Sequence, residues 1–502
     1  MITLFIMLAT IMQVLDTTIA NVALPHMQGS LSATQDQITW VLTSYIVAAA
    51  VMTPPTGWLA GRFGRKKIFL TAIAGFTLTS VLCGLATSIE EMVAFRLLQG
   101  VFGASLVPLS QSTLLDINPK ERHGAAMAMW GVGIMLGPIL GPTLGGYLTE
   151  YYNWRWVFYI NLPVGIISFI GCSAFLPETD LEKRPFDRFG FAMLALSIAT
   201  LQLILDRGEQ VDWFTAKELL VYTGVGLSAF WMYVVHSRTA AHPFLSPELF
   251  VDRNFVTGLV FIFFVGIILL ATMALLPPYL QNLMGYPVVD VGLLMAPRGG
   301  GTMVAMMIVG KLSGKVDARK LIFLGLVLIV ISLWEMARFS TFVPTHLIVQ
   351  TGIIQGLGLG FIFVPLSTIA FATLAPKLRT EATSLFSLVR NLGSSIGVSL
   401  VTTLLSSSMQ TNHAYLSEHI TPYNTALIQS AMPQSIGSGG MSTVLMAVNG
   451  EITRQAATIG YLNDFAFMMW VVLAIMPMVL LLQNPHKRKQ PSTEESIELA
   501  LE

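Results

Sequence analysis

Two charged residues set inside apolar runs are where any chemistry would have to come from. Asp16 lies in ITLFIMLATIMQVLDTTIANVALP and Arg96 in MVAFRLLQGVFGASLVPLSQ. A charge at the centre of a bilayer helix costs at least ~2.5–3.5 kcal/mol, so each needs a partner or a task. Asp16 is about ten residues, or ~15 Å at helical rise, from the external end of its run, and Arg96 about seven, or ~10 Å. At those depths the two can meet. A carboxylate that exchanges a guanidinium for a proton supplies one kind of chemistry, reversible proton carriage coupled to a change of partner. The plain alternative is a static ion pair that makes both charges tolerable. Arg298 in MAPRGGG and Arg390 in VRNLGSS sit about ten residues into later apolar runs, with no acidic neighbour in sequence. Contact with an anionic substrate group, gating, capping of helix carbonyls and simple bracing all remain open for them. Asp206 stands at the external end of another run, as a surface anchor or a point of proton entry.

Other chemistry finds little support. Hydrophobic residues make up 54% of the 502-residue chain and charged ones 11%, a balance that belongs to a membrane protein. Cys83 and Cys172 lie within apolar runs, the eight histidines are scattered, and no HExxH, CxxC or GxxxxGK[ST] occurs. No nucleophile–base pair, metal site or ATP-binding loop is suggested, no cofactor is expected, and nothing points to nucleic acid. The first apolar run has no basic stretch before it and no small-residue cleavage site after it, so it is read as a retained span.

The elements that must position these groups are transmembrane helices, because backbone in lipid has to satisfy its own hydrogen bonds. On a ruler of about 20 apolar residues per crossing, the sequence predicts about fourteen spans, the second at 37–60, the eleventh at 319–338 and the last at 462–483. Twenty of the 28 Lys and Arg residues fall on one side, five on the other and three within spans, which predicts that both termini are cytoplasmic. The segment 408–461 joins the last two spans externally and is either a solvated loop or a docking surface for another protein.

The chain also repeats itself. GWLAGRFGRKKIFL from Gly57 matches GKLSGKVDARKLIFL from Gly310, and VPLSQSTLLDINPKER from Val107 matches VPLSTIAFATLAPKLR from Val364. Two matches at nearly one offset indicate duplication, with both copies oriented alike. The predicted organisation is a six-helix half over 1–180, an inserted hairpin with linkers over 181–250, five helices of the second half over 251–407, the external segment, the last helix at 462–484 and a tail at 485–502. The intramembrane arginine is not repeated, since Gly352 takes the place of Arg96. Scaffolding would be repeated, so the asymmetry favours a working role for the Asp16–Arg96 couple.

Two motifs concern movement. Gly57, Arg62, Gly64 and Arg65 form a basic loop between spans, either a simple positive-inside anchor or a latch whose arginines pair in one conformation only, with Asp116 as a possible partner. Gly137, Gly141 and Gly145 recur every four residues in GPILGPTLGG, with Gly146 beside them, so one helix face is almost bare. Pro138 and Pro142 each remove a backbone hydrogen bond there. Ordinary close packing and a pivot or seal between the halves are both open.

These residues resemble the major facilitator superfamily, and within it the fourteen-span drug:proton antiporters of the EmrB/QacA group. LDTTIANVALP is similar to the group's first-span motif, GWLAGRFGRKK to the loop after span 2, RLLQGVFGAS to the span-4 motif and GVGIMLGPILGPTLGG to the span-5 antiporter motif. WRWVFYINLPVG and LDRGEQVDWF are also similar to this group, and the likeness covers essentially the whole chain. The loop departs from the pattern at Gly61, where the family usually carries aspartate. The resemblance implies an all-α integral membrane protein with the major facilitator fold, about fourteen helices in two six-helix halves plus two inserted. It implies multidrug efflux across the bacterial inner membrane, driven by the proton gradient through Asp16 and Arg96, with amphiphilic small molecules and protons as the transported partners. The long external segment looks like the Gram-negative form, which implies a periplasmic membrane-fusion adaptor and an outer-membrane channel. A dedicated exporter of a siderophore, fatty acid or peptide, and a sensor that has lost transport, are the competing readings.

Overall fold

The computed structural model describes residues 2–179, 181, 184–418 and 441–483. The tail at 485–502 and the SIGSGG part of the external segment lie outside the described residues. Seven helices open the chain: α1 (Ile2–Ser30), α2 (Gln35–Met52), α3 (Thr56–Phe63), α4 (Arg65–Leu85), α5 (Ile89–Gly103), α6 (Leu106–Ile117) and α7 (His123–Tyr151). A single turn, α8 (Trp156–Tyr159), leads to α9 (Asn161–Phe175), and α10 (Arg188–Arg207) and α11 (Lys217–Thr239) form a hairpin. After a short α12 (Glu248–Val251) come α13 (Arg253–Pro278), α14 (Val288–Leu312), α15 (Ala318–Met336), α16 (Thr345–Ala372), α17 (Arg379–Glu418) and α18 (Met441–Ile475).

Local sequence explains several boundaries. Thr34 and Gln37 form a capping box at the start of α2, with Asp36 in the first turn. At Pro54 and Pro55 the ladder loses two donors, and α2 and α3 meet at a bend of 57°. Gly64 has φ +91°, a conformation that a side chain would strain, and it separates α3 from α4. Ser88 accepts from the Glu91 backbone N–H and begins α5 with two acids in its first turn.

Among the described residues twelve helices are long and apolar enough to cross a membrane, or thirteen if the bent α2–α3 pair is one span. The expected fourteen is therefore not reached on that criterion. The helix expected as the eleventh span is present as α15, 19 residues long, but Arg319, Lys320 and Glu335 at its ends dilute its apolar stretch. The described parts of the segment 408–461, residues 408–418 and 441–461, are helical. Helix α17 has 40 residues, ~60 Å at helical rise and about twice a hydrocarbon core. Past the apolar part it stays paired with α18 through His413–Asn449 at 3.0 Å and Asn463–Ser408 at 3.1 Å.

The two copies of the repeat make matching helix pairs. In the first, α1 packs on α7 and α5 on both α2 and α4; in the second, α13 packs on α17 and α16 on both α14 and α15. Across the copies α7 packs on α14, and α17 packs on α3 and α6. The α10–α11 hairpin lies against both, with α10 touching α2 and α17.

Candidate functional site

Asp16 sits midway along α1 and Arg96 midway along α5, and both side chains are wholly buried. Their contact is direct, with Arg96 Nη1 donating to Asp16 Oδ2 at 2.7 Å. Nη1 also donates to Gln99 Oε1 at 2.8 Å, and Arg96 Nε to the Val41 carbonyl at 3.0 Å. The other carboxylate oxygen, Oδ1, accepts from Gln99 Nε2 at 3.0 Å and from Asn161 Nδ2 at 2.8 Å. Asn161 also donates to Ser80 Oγ at 2.9 Å, and Ser80 in turn to the Phe158 carbonyl at 2.9 Å. The Tyr45 ring covers the guanidinium at 4.4 Å. Five helices thus converge on one carboxylate: α1 carries it, α5 and α9 donate to it, and α2 and α4 hold the donors. Charge-assisted hydrogen bonds in a low-dielectric interior are strong, and a break in any one of them is costly.

The second copy keeps the frame and changes the groups. Thr272 stands at the same offset from Asp16 as Gln355 from Gln99, and Gln355 Nε2 donates to Thr272 Oγ1 at 3.1 Å. Gly352 replaces Arg96. A guanidinium is nonetheless present, carried by another helix. Arg298 occupies the place of Tyr45 at the offset of the Gly57 and Gly310 matches. Packing agrees, because Gly100 abuts the carbonyl of Tyr45 and Gly356 that of Arg298. Arg298 is 5% exposed. Its Nη2 donates to the Leu269 carbonyl at 3.3 Å and its Nη1 has no partner. Arg390 is half-buried on α17, where its own carbonyl packs on Gly266 of α13; its side chain has no hydrogen bond or ion pair among the described residues. Among the described residues neither Arg298 nor Arg390 is brought to a carboxylate.

The end of the bundle that carries the basic loop is closed by charge. Arg65 Nη1 meets Asp116 Oδ2 at 2.6 Å, and Arg379 from α17 meets Asp116 Oδ1 at 2.6 Å. Arg65 also donates to Thr380 at 3.2 Å. Gly57 lies against the backbone of Glu381, an approach any side chain would prevent. That glutamate accepts from the Ser246 backbone N–H and hydroxyl, and from Arg184 at 3.4 Å. A cavity of about 140 Å³ between these groups is lined by Gly57, Gly61, Arg62, Arg65, Arg184 and Glu381. The carboxylate missing at Gly61 is thus faced by one from the other copy. Arg62 is exposed and makes no ion pair among the described residues.

The spaced glycines of α7 close on α1. Gly137 packs on Val14 and Leu15, Gly141 on Thr18 and Gly145 on Ile19, while Gly146 has nothing within 4 Å. Thr18 donates to the Gly137 carbonyl at 3.1 Å. Of the two readings left open, close packing or a pivot or seal between the halves, the contacts of this bare face are those of close packing on the helix that carries Asp16. Contacts of α7 with the second copy come instead from neighbouring positions, with Trp130 stacked on Phe363 and Ile139 against Gly299. Pro138 and Pro142 lie within α7. Asp206, at the end of α10, accepts from Thr43 of α2.

Sequence reasoning missed Asn161 and Ser80, whose proximity to Asp16 depends on how α9 and α4 pack, and Glu381. It also missed Asp464 of α18, which is 1% exposed with Oδ2 unpartnered.

Comparison with known proteins agrees with the geometry. The model of the Major Facilitator Superfamily matches residues 6–398. The multidrug export protein EmrB of Escherichia coli K12 is 34% identical over 481 residues, covering 95% of this chain and 93% of that protein. The fatty acid resistance protein FarB of Neisseria gonorrhoeae is 35% identical over 486 residues, covering 96% of each. Among solved structures, the proton:xylose symporter XylE aligns with a TM-score of 0.61 at 13% identity, covering 96% of this chain and 98% of that one. Human MFSD10, an organic anion transporter, aligns with a TM-score of 0.59 at 14% identity, covering 94% and 98%. A helical bundle in which each copy of a repeat makes the same pairings, with a buried ion pair in the first copy and an ion-paired network at one end, is thus placed by sequence and by fold alike: the chain belongs to the Major Facilitator Superfamily and is a multi-pass membrane transporter similar to multidrug export proteins.

Proposed function

We propose that the chain exports amphiphilic compounds across the bacterial inner membrane in exchange for protons, by alternating access between a half at 1–180 and a half at 251–484, with 181–250 as an inserted hairpin. The observation that carries this reading is the closed Asp16 node, whose carboxylate holds one guanidinium and two amides in the first copy and has no counterpart in the second. In the proposed cycle Asp16 trades Arg96 for a proton arriving from outside, and the bare face of α7 carries the resulting shift of α1 into the rest of the half. Substrate binding favours the deprotonated state. Each proton moving inward also moves with the membrane potential, worth ~2.3 kcal/mol per charge per 100 mV.

Both termini are cytoplasmic in this reading, as the excess of Lys and Arg at the basic end implies. The Arg65–Asp116–Arg379 bridge then holds the cytoplasmic side shut and opens when the substrate enters. Helices α17 and α18, prolonged on the opposite side, offer the surface where a periplasmic adaptor leading to an outer-membrane channel would dock. Gly57, Gly64, Arg62 and Arg65 act as the hinge and latch, and Asp206 as a relay or anchor next to the hairpin. The likeness to FarB supports a narrower second reading, a dedicated exporter of a fatty acid or similar metabolite. Purified chain in liposomes with an imposed pH gradient separates these from a non-transporting sensor: gradient-driven movement of several unrelated amphiphilic dyes is expected, movement of a single class would favour the narrower exporter, and no movement would sink both.

A further inference from the structure

The second copy holds a buried cation from which the matching carboxylate has been removed. In the first copy Arg96 is ion-paired with Asp16 and bonded to Gln99 and the Val41 carbonyl, with only its Nη2 left without a partner. In the second, Thr272 stands for Asp16, Gly352 for Arg96 and Arg298 for Tyr45, so a guanidinium stands on a different helix and no carboxylate stands at the Asp16 position; the buried carboxylate of this half, Asp464, is on α18. Nothing acidic pairs with Arg298 among the described residues, its Nη1 is without a partner, and its remaining contact is one carbonyl at 3.3 Å. An unpaired guanidinium buried this deeply is expensive, and the expense is offset when a ligand brings the missing charge.

We propose that Arg298 is the anchor of a binding site for the carboxylate head of an anionic amphiphile, so that the substrate completes in the second copy what Asp16 completes in the first. This deepens the exporter reading and rests on it. The planar fork of arginine suits a carboxylate, which it can grip through two N–H donors. One further donor stands on α16: Gln355 has a second amide N–H beside the one it gives at 3.1 Å to the Thr272 hydroxyl, whose own hydrogen goes to the Ile268 carbonyl. Gly352, one turn before Gln355 and next to the Arg298 stem, adds no side chain at the place Arg96 fills in the first copy. The surroundings are apolar, with Ile267 and Ile268 on α13 and Leu359 on α16 buried at these levels, as the tail of such a ligand requires. A cationic amphiphile would meet the wrong charge there.

The test uses the purified full chain in lipid nanodiscs and liposomes with two matched probes, dansylaminoundecanoate and the same chain ending in trimethylammonium. The expected result is that the wild-type chain binds and moves the carboxylate probe. Arg298→Gln should lower carboxylate binding relative to the ammonium probe by roughly tenfold or more, and Arg298→Lys by less. Thr272→Asp, which supplies a tethered carboxylate at the Asp16 position, should abolish carboxylate binding with Arg298 still in place. Equal weakening of both probes in a folded Arg298→Gln protein would overturn the site by reducing Arg298 to a brace. If that variant does not fold, undiminished carboxylate binding by Thr272→Asp overturns it. Wild-type transport of the ammonium probe alone would remove the site and leave the exporter reading standing, whereas transport of neither probe would remove both.

Discussion

The first and second copies of the repeat share their helix pairings and differ in where they keep charge. In the first, α1, α5 and α9 close a carboxylate–guanidinium–amide node in which Asp16 receives three donors. In the second, the equivalent turns of α13 and α16 hold a hydroxyl and an amide, and the arginine has moved to α14. What is repeated is packing, such as glycine against carbonyl at Gly100 and again at Gly356. What is not repeated is the carboxylate–guanidinium pair. In the proposed cycle the two similar bodies rock against each other, and only the first answers to protonation of Asp16.

The sharpest way to break this contrast is to neutralise one carboxylate. Asp16→Asn should eliminate proton-driven accumulation in vesicles, whereas Thr272→Val, at the equivalent place, should leave proton coupling intact. Removing the arginine tests the node as structure. Arg96→Met strands a buried Asp16 and should destabilise the protein by about 3–5 kcal/mol, read as a large fall in melting temperature; Arg96→Met combined with Asp16→Leu should recover much of that loss. At the basic end, Asp116→Asn removes the charge that both Arg65 and Arg379 grip. It should shift the population toward opening by roughly 1.5–3 kcal/mol per charged hydrogen bond lost, seen as faster labelling of a cysteine placed near Gly57. Asn161→Ala removes one donor to Asp16 and should cost about 1–3 kcal/mol. Thr18→Ala, which loses one bond to the Gly137 carbonyl, should cost only ~0.5–1.5 kcal/mol, and a larger effect on coupling than on stability would mark the α1–α7 contact as the transmission path.

The node was partly legible because charges in hydrocarbon are rare and helical rise fixes their depth; Asp16 and Arg96 could be matched by counting alone. Their amide partners could not. Asn161 lies far along the chain in INLPVG, and an amide in a span announces nothing until the packing of α9 is known. The same holds for Glu381, which faces Gly61 only because α17 comes from the other copy. Arg298 was legible as a charge within a span, and its correspondence with Tyr45 follows from the repeat offset, but only the packing shows that Gly356 meets its carbonyl as Gly100 meets that of Tyr45. Composition set the solvent and the helical class, while the span count suffered where α15 carries charges at its ends. Apolarity also stops reporting where polar residues continue a helix, so the last apolar run begins at 462 whereas α18 begins at Met441, and α17 extends to Glu418.

The account depends most on Asp16 as the residue that ties proton movement to substrate movement. The most direct measurement compares wild-type and Asp16→Asn protein in liposomes, recording substrate accumulation under an imposed pH gradient beside substrate counterflow at equal pH. Loss of gradient-driven accumulation with counterflow retained is the predicted result. Undiminished accumulation by Asp16→Asn under the gradient would contradict it.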